Sequence, residues 1–113
     1  MAMELPKAEI FSALAALGYE CRQGSQAVFA NPPAITFYVA NNSVDLDLDN
    51  EISSQEVTVV VDIFADDSPT ASRILSEVEI AMRNLGYRLS FSADVPSPEG
   101  ALYHITTRFD GVL

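Results

Sequence analysis

Four carboxylates in the stretch VDLDLDNEISSQE, residues 44–56, have the spacing of an EF-hand calcium loop. Counting from Asp45, acids stand first, third and fifth as Asp45, Asp47 and Asp49, Ile52 stands eighth, and Glu56 stands twelfth. Calcium takes oxygen ligands, and this spacing delivers them when flanking helices hold the loop ends together. Asn50 occupies the place of the turn glycine, and asparagine tolerates the left-handed conformation needed there. The flanks argue otherwise. Val44, Leu46 and Leu48 alternate with the three aspartates at the period of a half-buried strand. In an extended chain those carboxylates would line up about 6.6 Å apart along one face without converging on an ion. The segment therefore reads as an acidic strand and loop. A small calcium-binding module using Asp45, Asp47, Asp49 and Glu56 is the alternative.

His104 and Cys21 are the chain's one histidine and one cysteine, hence the candidate base and thiol. A nucleophilic Cys–His pair needs hydrogen-bond reach and a third group to orient the imidazole. Cys21 is followed by Arg22, whose charge can lower a thiol pKa, but a buried or inert thiol is the usual case. His104 lies in an alternating segment, on a face with Leu102, Thr106 and Arg108 and opposite Tyr103, Ile105 and Phe109. That placement suits a structural histidine. One Cys and one His fall short of a tetrahedral zinc set, and the chain has no CxxC, HExxH, GxGxxG or phosphate-loop motif. No cofactor and no catalytic residue is expected. An enzyme or ligand-binding domain built on His104 ranks third, behind an assembly protein and the calcium module.

The elements follow from periodicity and punctuation. Residues 6–17 carry a helical stripe of Ile10, Leu14 and Leu17 with Phe11, started by Pro6 and stopped by Gly18. Residues 26–30 could form a short strand, which Asn31-Pro32-Pro33 would end for want of backbone donors. Residues 34–40 read as a strand, Asn41-Asn42-Ser43 as a turn, and the segment near 44 as a further strand. Residues 55–65 (QEVTVVVDIFA) are apolar enough for the centre of a sheet. Ser68 is expected to cap a helix over 69–85, striped by Ala71, Ile74, Leu75, Val78, Ala81, Met82 and Leu85 and stopped by Gly86. Strands at 87–94 and 101–109 finish the chain. LGY recurs at 17–19 and 85–87, and both copies are helix stops rather than an internal repeat. The expected fold is a single α+β domain over 1–113, with two helices on one face of a mainly antiparallel sheet of about four to five strands.

Composition sets limits on partners. At 113 residues with 49% apolar content, the chain can bury a core. No apolar run reaches the length of a membrane span, and MAMELPKAEIF is not expected to act as a signal peptide. A lone cysteine suits a reducing cytoplasm. Sixteen acids against six bases give a net charge of −10. No base falls between residues 23 and 72, an interval with eight acids from Asp45 to Asp67. Such a surface repels phosphate, so sequence-specific nucleic-acid binding is not expected. High apolar content beside this charge favours burial in an oligomer interface.

Residues 41–112 hold a further pattern. It comprises Asp49-Asn50 before a long strand ending Asp62-Ile63-Phe64, a helix ending Leu85-Gly86-Tyr87, then Phe91-Ser92-Ala93-Asp94, and Tyr103-His104 followed by Arg108-Phe109. In order and spacing it resembles the tail terminator, or tail completion, proteins of long-tailed bacteriophages and prophages. The resemblance implies a structural protein of the virion tail, assembled in the bacterial cytoplasm as a homo-oligomeric, hexameric ring. Such a ring caps the tail tube and joins it to the head–tail connector, with DNA passing through. It further implies architectural positions, with Asp62 and Asp94 at strand ends and Tyr103, His104 and Arg108 on the closing strand. Asp45, Asp47, Asp49 and Glu51 are then expected to face the lumen or a subunit interface, where carboxylates would keep DNA from sticking.

Overall fold

The computed structural model describes residues 7–24, 32–46, 48–50, 52–96 and 102–112, with 52–54 described by their backbone alone. Two helices and five strands follow in the order α1 (Lys7–Ala15), β1 (Glu20–Gln23), β2 (Ala34–Leu46), β3 (Ile52–Ala65), α2 (Ser68–Asn84), β4 (Tyr87–Val95) and β5 (Tyr103–Val112). They form an α+β domain around one sheet of strand order β1-β2-β3-β5-β4. Only the short β1–β2 pairing is parallel; the other three are antiparallel.

β3 sits at the centre because its sequence suits burial on both sides. Val57, Val59, Val61 and Ile63 face the helices and are fully buried, and Val60, Asp62 and Phe64 on the second face are buried as well. Onto the first row pack Ile10 and Leu14 of α1 and Ala71, Ile74, Val78 and Met82 of α2. At about 1.5–3 kcal/mol for each large side chain removed from water, this seam is the main stabilising contact of the domain. Phe11, expected in the α1 stripe, is 44% exposed at its margin, with its ring 6.4 Å from that of Phe37.

The helix boundaries obey local chemistry. Gly18 and Gly86 adopt the positive φ that ends each helix. The cap of α2 differs from expectation by one residue: Asp67 is the cap, its carboxylate accepting from the Thr70 amide at 2.8 Å, and Ser68 is the first helical residue. That bond holds the Asp67 carboxyl below its ordinary value.

Two strands depart from the sequence reading. β2 runs unbroken through Asn41-Asn42-Ser43, absorbing these turn-formers with a bulge between Val39 and Asn41. β1 was not expected; its four polar residues, ECRQ, are held by pairing with Ala34–Phe37. The short strand expected at 26–30 falls outside the described residues, apart from which the order of elements contains the same number of strands as expected.

The β2–β3 hairpin outruns the rest of the sheet. Pairing of β3 with β5 begins at Glu56, opposite Val112, and β1 reaches only as far as Phe37 on β2. Beyond these points residues 44–46 and 52–55 pair with each other alone, forming a two-stranded arm. The radius of gyration, 15.2 Å, exceeds the roughly 13 Å of a compact chain of this length, and the longest dimension is 55 Å.

β5 is locked to α2's exit by a close approach. A Cβ placed on Gly111 would lie 2.6 Å from Cδ1 of Tyr87, whose side chain is buried. Gly111→Ala is expected to lower stability by about 1–3 kcal/mol, measured as a lower midpoint in urea, while the arm-tip substitution Leu48→Ala leaves the midpoint unchanged.

Candidate assembly surface

The acidic stretch lies on the arm and its turn. Asp45 is opposite Ser54 on β3, and Glu56 is opposite Ser43. The two carboxylates therefore share a sheet face as diagonal neighbours, about 7–8 Å apart. Leu48, Asp49 and Asn50 form the turn, with Asn50 at φ 61°, the left-handed conformation open to asparagine. Asp47 and Glu51 lie outside the described residues. Strands, rather than helices, flank the turn on both sides, so the frame that makes EF-hand ligands converge is not formed. Among the described residues no three His, Cys, Asp or Glu side chains gather as a metal site.

Leucines accompany these acids. Leu48 at the tip is fully exposed, and Leu46 is 56% exposed. The root of the arm is tied by an amide pair, the buried Gln55 donating Nε2–H to Oδ1 of the exposed Asn42 at 2.7 Å.

The second face of the sheet, opposite the helices, holds most of the remaining polar chemistry. Nε2 of His104 lies 2.9 Å from Oδ1 of Asp62, and the imidazole stacks on Phe64 at 4.3 Å between centroids. With a proton on Nε2 the imidazole donates to the Asp62 carboxyl, which satisfies a polar group buried in mid-sheet. Asp62 is thus three residues inside β3 rather than at its end, whereas Asp94 is the penultimate residue of β4 as the resemblance implied. Thr106 and Arg108 share the His104 face, and Ile105 and Phe109 are buried on the other, as the alternation predicted.

Cys21 takes no part in this cluster. Its strand position aligns with Ile35, Ile63 and Ile105, all facing the helices, so Cys21 and His104 lie on opposite faces. β1 and β5 are moreover separated by two strands, roughly 14 Å from one to the other. Burial pushes the thiol up to about 11, in keeping with an inert cysteine, and the Arg22 guanidinium pairs with Glu20 at 3.2 Å. A Cys–His nucleophile is not assembled.

Near the root of the arm the sheet edge encloses an open cleft of about 570 Å³, lined by residues that include Glu56, Thr58, Arg88, Asp110 and Val112. Asp110 lies below its ordinary carboxyl value because the Ser90 and Thr58 hydroxyls donate to its charged form, Thr58 at 2.7 Å.

Sequence reasoning missed one feature of this face altogether. Tyr87, Leu89 and Phe91 share one parity in β4, which predicts a common side. A bulge between Leu89 and Phe91 instead sets Phe91 opposite Arg108, on the second face, where it is 53% exposed. Nothing in the residue pattern announces that bulge.

Comparison of the chain with protein-family models and with curated proteins finds no match. No helix among the described residues is long and apolar enough to cross a membrane.

Two outcomes follow from the second face. His104→Ala leaves the Asp62 carboxylate buried without this donor and is expected to cost about 1–3 kcal/mol in chemical unfolding. Asp110, with a folded-state pKa below its unfolded value, contributes stability at neutral pH that is lost as pH falls below 3.8. Asp110→Asn should therefore flatten that acid limb of a melting-temperature profile while lowering the neutral-pH plateau.

Proposed function

We propose that this chain is a tail terminator of a long-tailed bacteriophage or prophage, a structural protein that closes the tail tube as a ring and joins it to the head connector. The observation that carries the reading is the arm: a two-stranded projection with exposed leucines and carboxylates, built on a rigid α+β body. An assembly subunit can reach its neighbours with such a projection. The resemblance over residues 41–112 supplies the identity of the assembly.

The charge pattern supports the same reading. A ring around the path of a genome benefits from carboxylates, which repel phosphate and let DNA slide. The base-free interval that contains the arm furnishes them, with Asp45, Asp47, Asp49 and Glu51 as the residues that line the lumen or an interface. The protein would then reside in the virion tail after assembly in the bacterial cytoplasm, with a tail-tube protein and a connector protein as partners and a homo-hexamer as its working state.

Electron microscopy of the chain mixed with its tail-tube protein tests this directly. Rings closing the tube ends are expected, and the triple variant Asp45→Lys/Asp47→Lys/Asp49→Lys should fold but fail to support infectious particles in a complementation assay. Tube ends that stay open beside the wild-type chain would remove the proposal.

A further inference from the structure

Little holds the arm. Beyond the reach of β1 and β5 it consists of three register pairs, Val44–Gln55, Asp45–Ser54 and Leu46–Ile52, with an irregularity between the second and the third. Asp45, Ser53, Ser54 and Gln55 take the places that β-branched residues fill in the body of β3, so the chain itself favours extension less there. Packing differs in the same sense. Asp45 and Leu46 are exposed and Val44 is half-buried, whereas β3 from Val57 to Ile63 is buried at every position but Thr58.

Two features mark the place where the arm meets the body. Ala40 is the inserted residue of the bulge between Val39 and Asn41, so the ladder is interrupted and β2 bends there. Two residues further on, Asn42 accepts from Gln55 at 2.7 Å, and Gln55 is buried on the helix-facing side in line with Val57 and Val59. A buried amide is costly to leave without its partner, so this pair holds the two strands in register just where the third strand ends. Opening the arm breaks that bond and three register pairs. It leaves the seam between β3 and α2 intact, because the valine row of that seam starts at Val57.

We propose that the arm is a two-stranded flap, hinged at Ala40 and latched by the Gln55–Asn42 amide pair, that opens and closes while the body stays folded. Units with few buried contacts open in this way at a fraction of the free energy of global unfolding. A partner seated on the arm has to hold it closed and loses part of its binding free energy in doing so. The latch therefore sets how readily the arm is engaged, from a position outside the tip. The flap belongs to the free chain and does not depend on the terminator reading.

Amide hydrogen exchange of the full chain, followed residue by residue by NMR in low urea, provides the test. Protected amides of 44–46 and 52–55 should exchange at least about a hundredfold faster than those of Val59, Val61 and Ile63. Their rates should scarcely respond to urea, because opening the arm exposes little surface. Two substitutions separate local from global opening. Ile74→Val weakens the seam, which is present whether the arm is open or closed. It should speed exchange of Val59, Val61 and Ile63 by about two- to tenfold and leave the arm's amides unchanged. Asn42→Ala destabilises only the closed arm and should speed exchange there at least about fivefold. Arm amides as slow as those of the seam, or arm amides that follow Ile74→Val by the same factor, would overturn the flap. Arm exchange unaltered by Asn42→Ala would overturn the latch.

Discussion

Val57, Val59, Val61 and Ile63, one side of the central strand, meet Ile74, Val78 and Met82 of the long helix in a seam closed to solvent. Every other element takes its position from that contact. It fixes which face of β3 looks inward and hence, through a period of two, which residues of β2, β5 and β4 lie on the second face. A slip of one residue would bury Thr58 and Asp62 against the helices and bring the valines out. Register is thus specified by the core, and the surface chemistry inherits it.

The consequence is a division of labour between the two ends of β3. Its C-terminal ten residues have strands on both sides and carry the fold. Its N-terminal residues have β2 alone and carry a projection. An isolated two-stranded hairpin is marginally stable in water, so the arm depends on being continuous with strands anchored elsewhere and on the amide pair of Gln55 and Asn42 at its root. The exposed Leu46 and Leu48 there are the apolar groups that the proposed assembly would cover. The sheet edge formed by β4 is kept irregular by its bulge, a common protection against indiscriminate strand pairing, and in this chain the same irregularity presents Phe91.

Much of this was legible in the sequence where local chemistry decides. Gly18, Gly86 and the apolar stripes marked both helices, and the run VTVVVDIFA marked a central strand because few polar residues interrupt it. In the acidic stretch the alternation marked strand only as far as Leu46, since Leu48, Asp49 and Asn50 form the turn. Legibility failed where distant partners override local preference. Asn41-Asn42-Ser43 would turn a free chain, but pairing with Val57, Glu56 and Thr58 keeps them extended. The polar β1 exists only because Ala34–Phe37 lie beside it. His104 and Asp62 are 42 positions apart, and their hydrogen bond follows from a non-local register that spacing does not encode. The reading of Cys21 as an inert thiol agrees with the structure, because burial, set by the fold, governs the thiol while Arg22 is a neighbour only in sequence.

Residues 41–56 are the proposed assembly element. Hydrogen–deuterium exchange of the chain, free and bound to tail-tube ends, measures it most directly. Amides of this segment are expected to gain protection on binding, while the α2–β3 seam is unchanged. Exchange in residues 41–56 that is identical in the two states would contradict it.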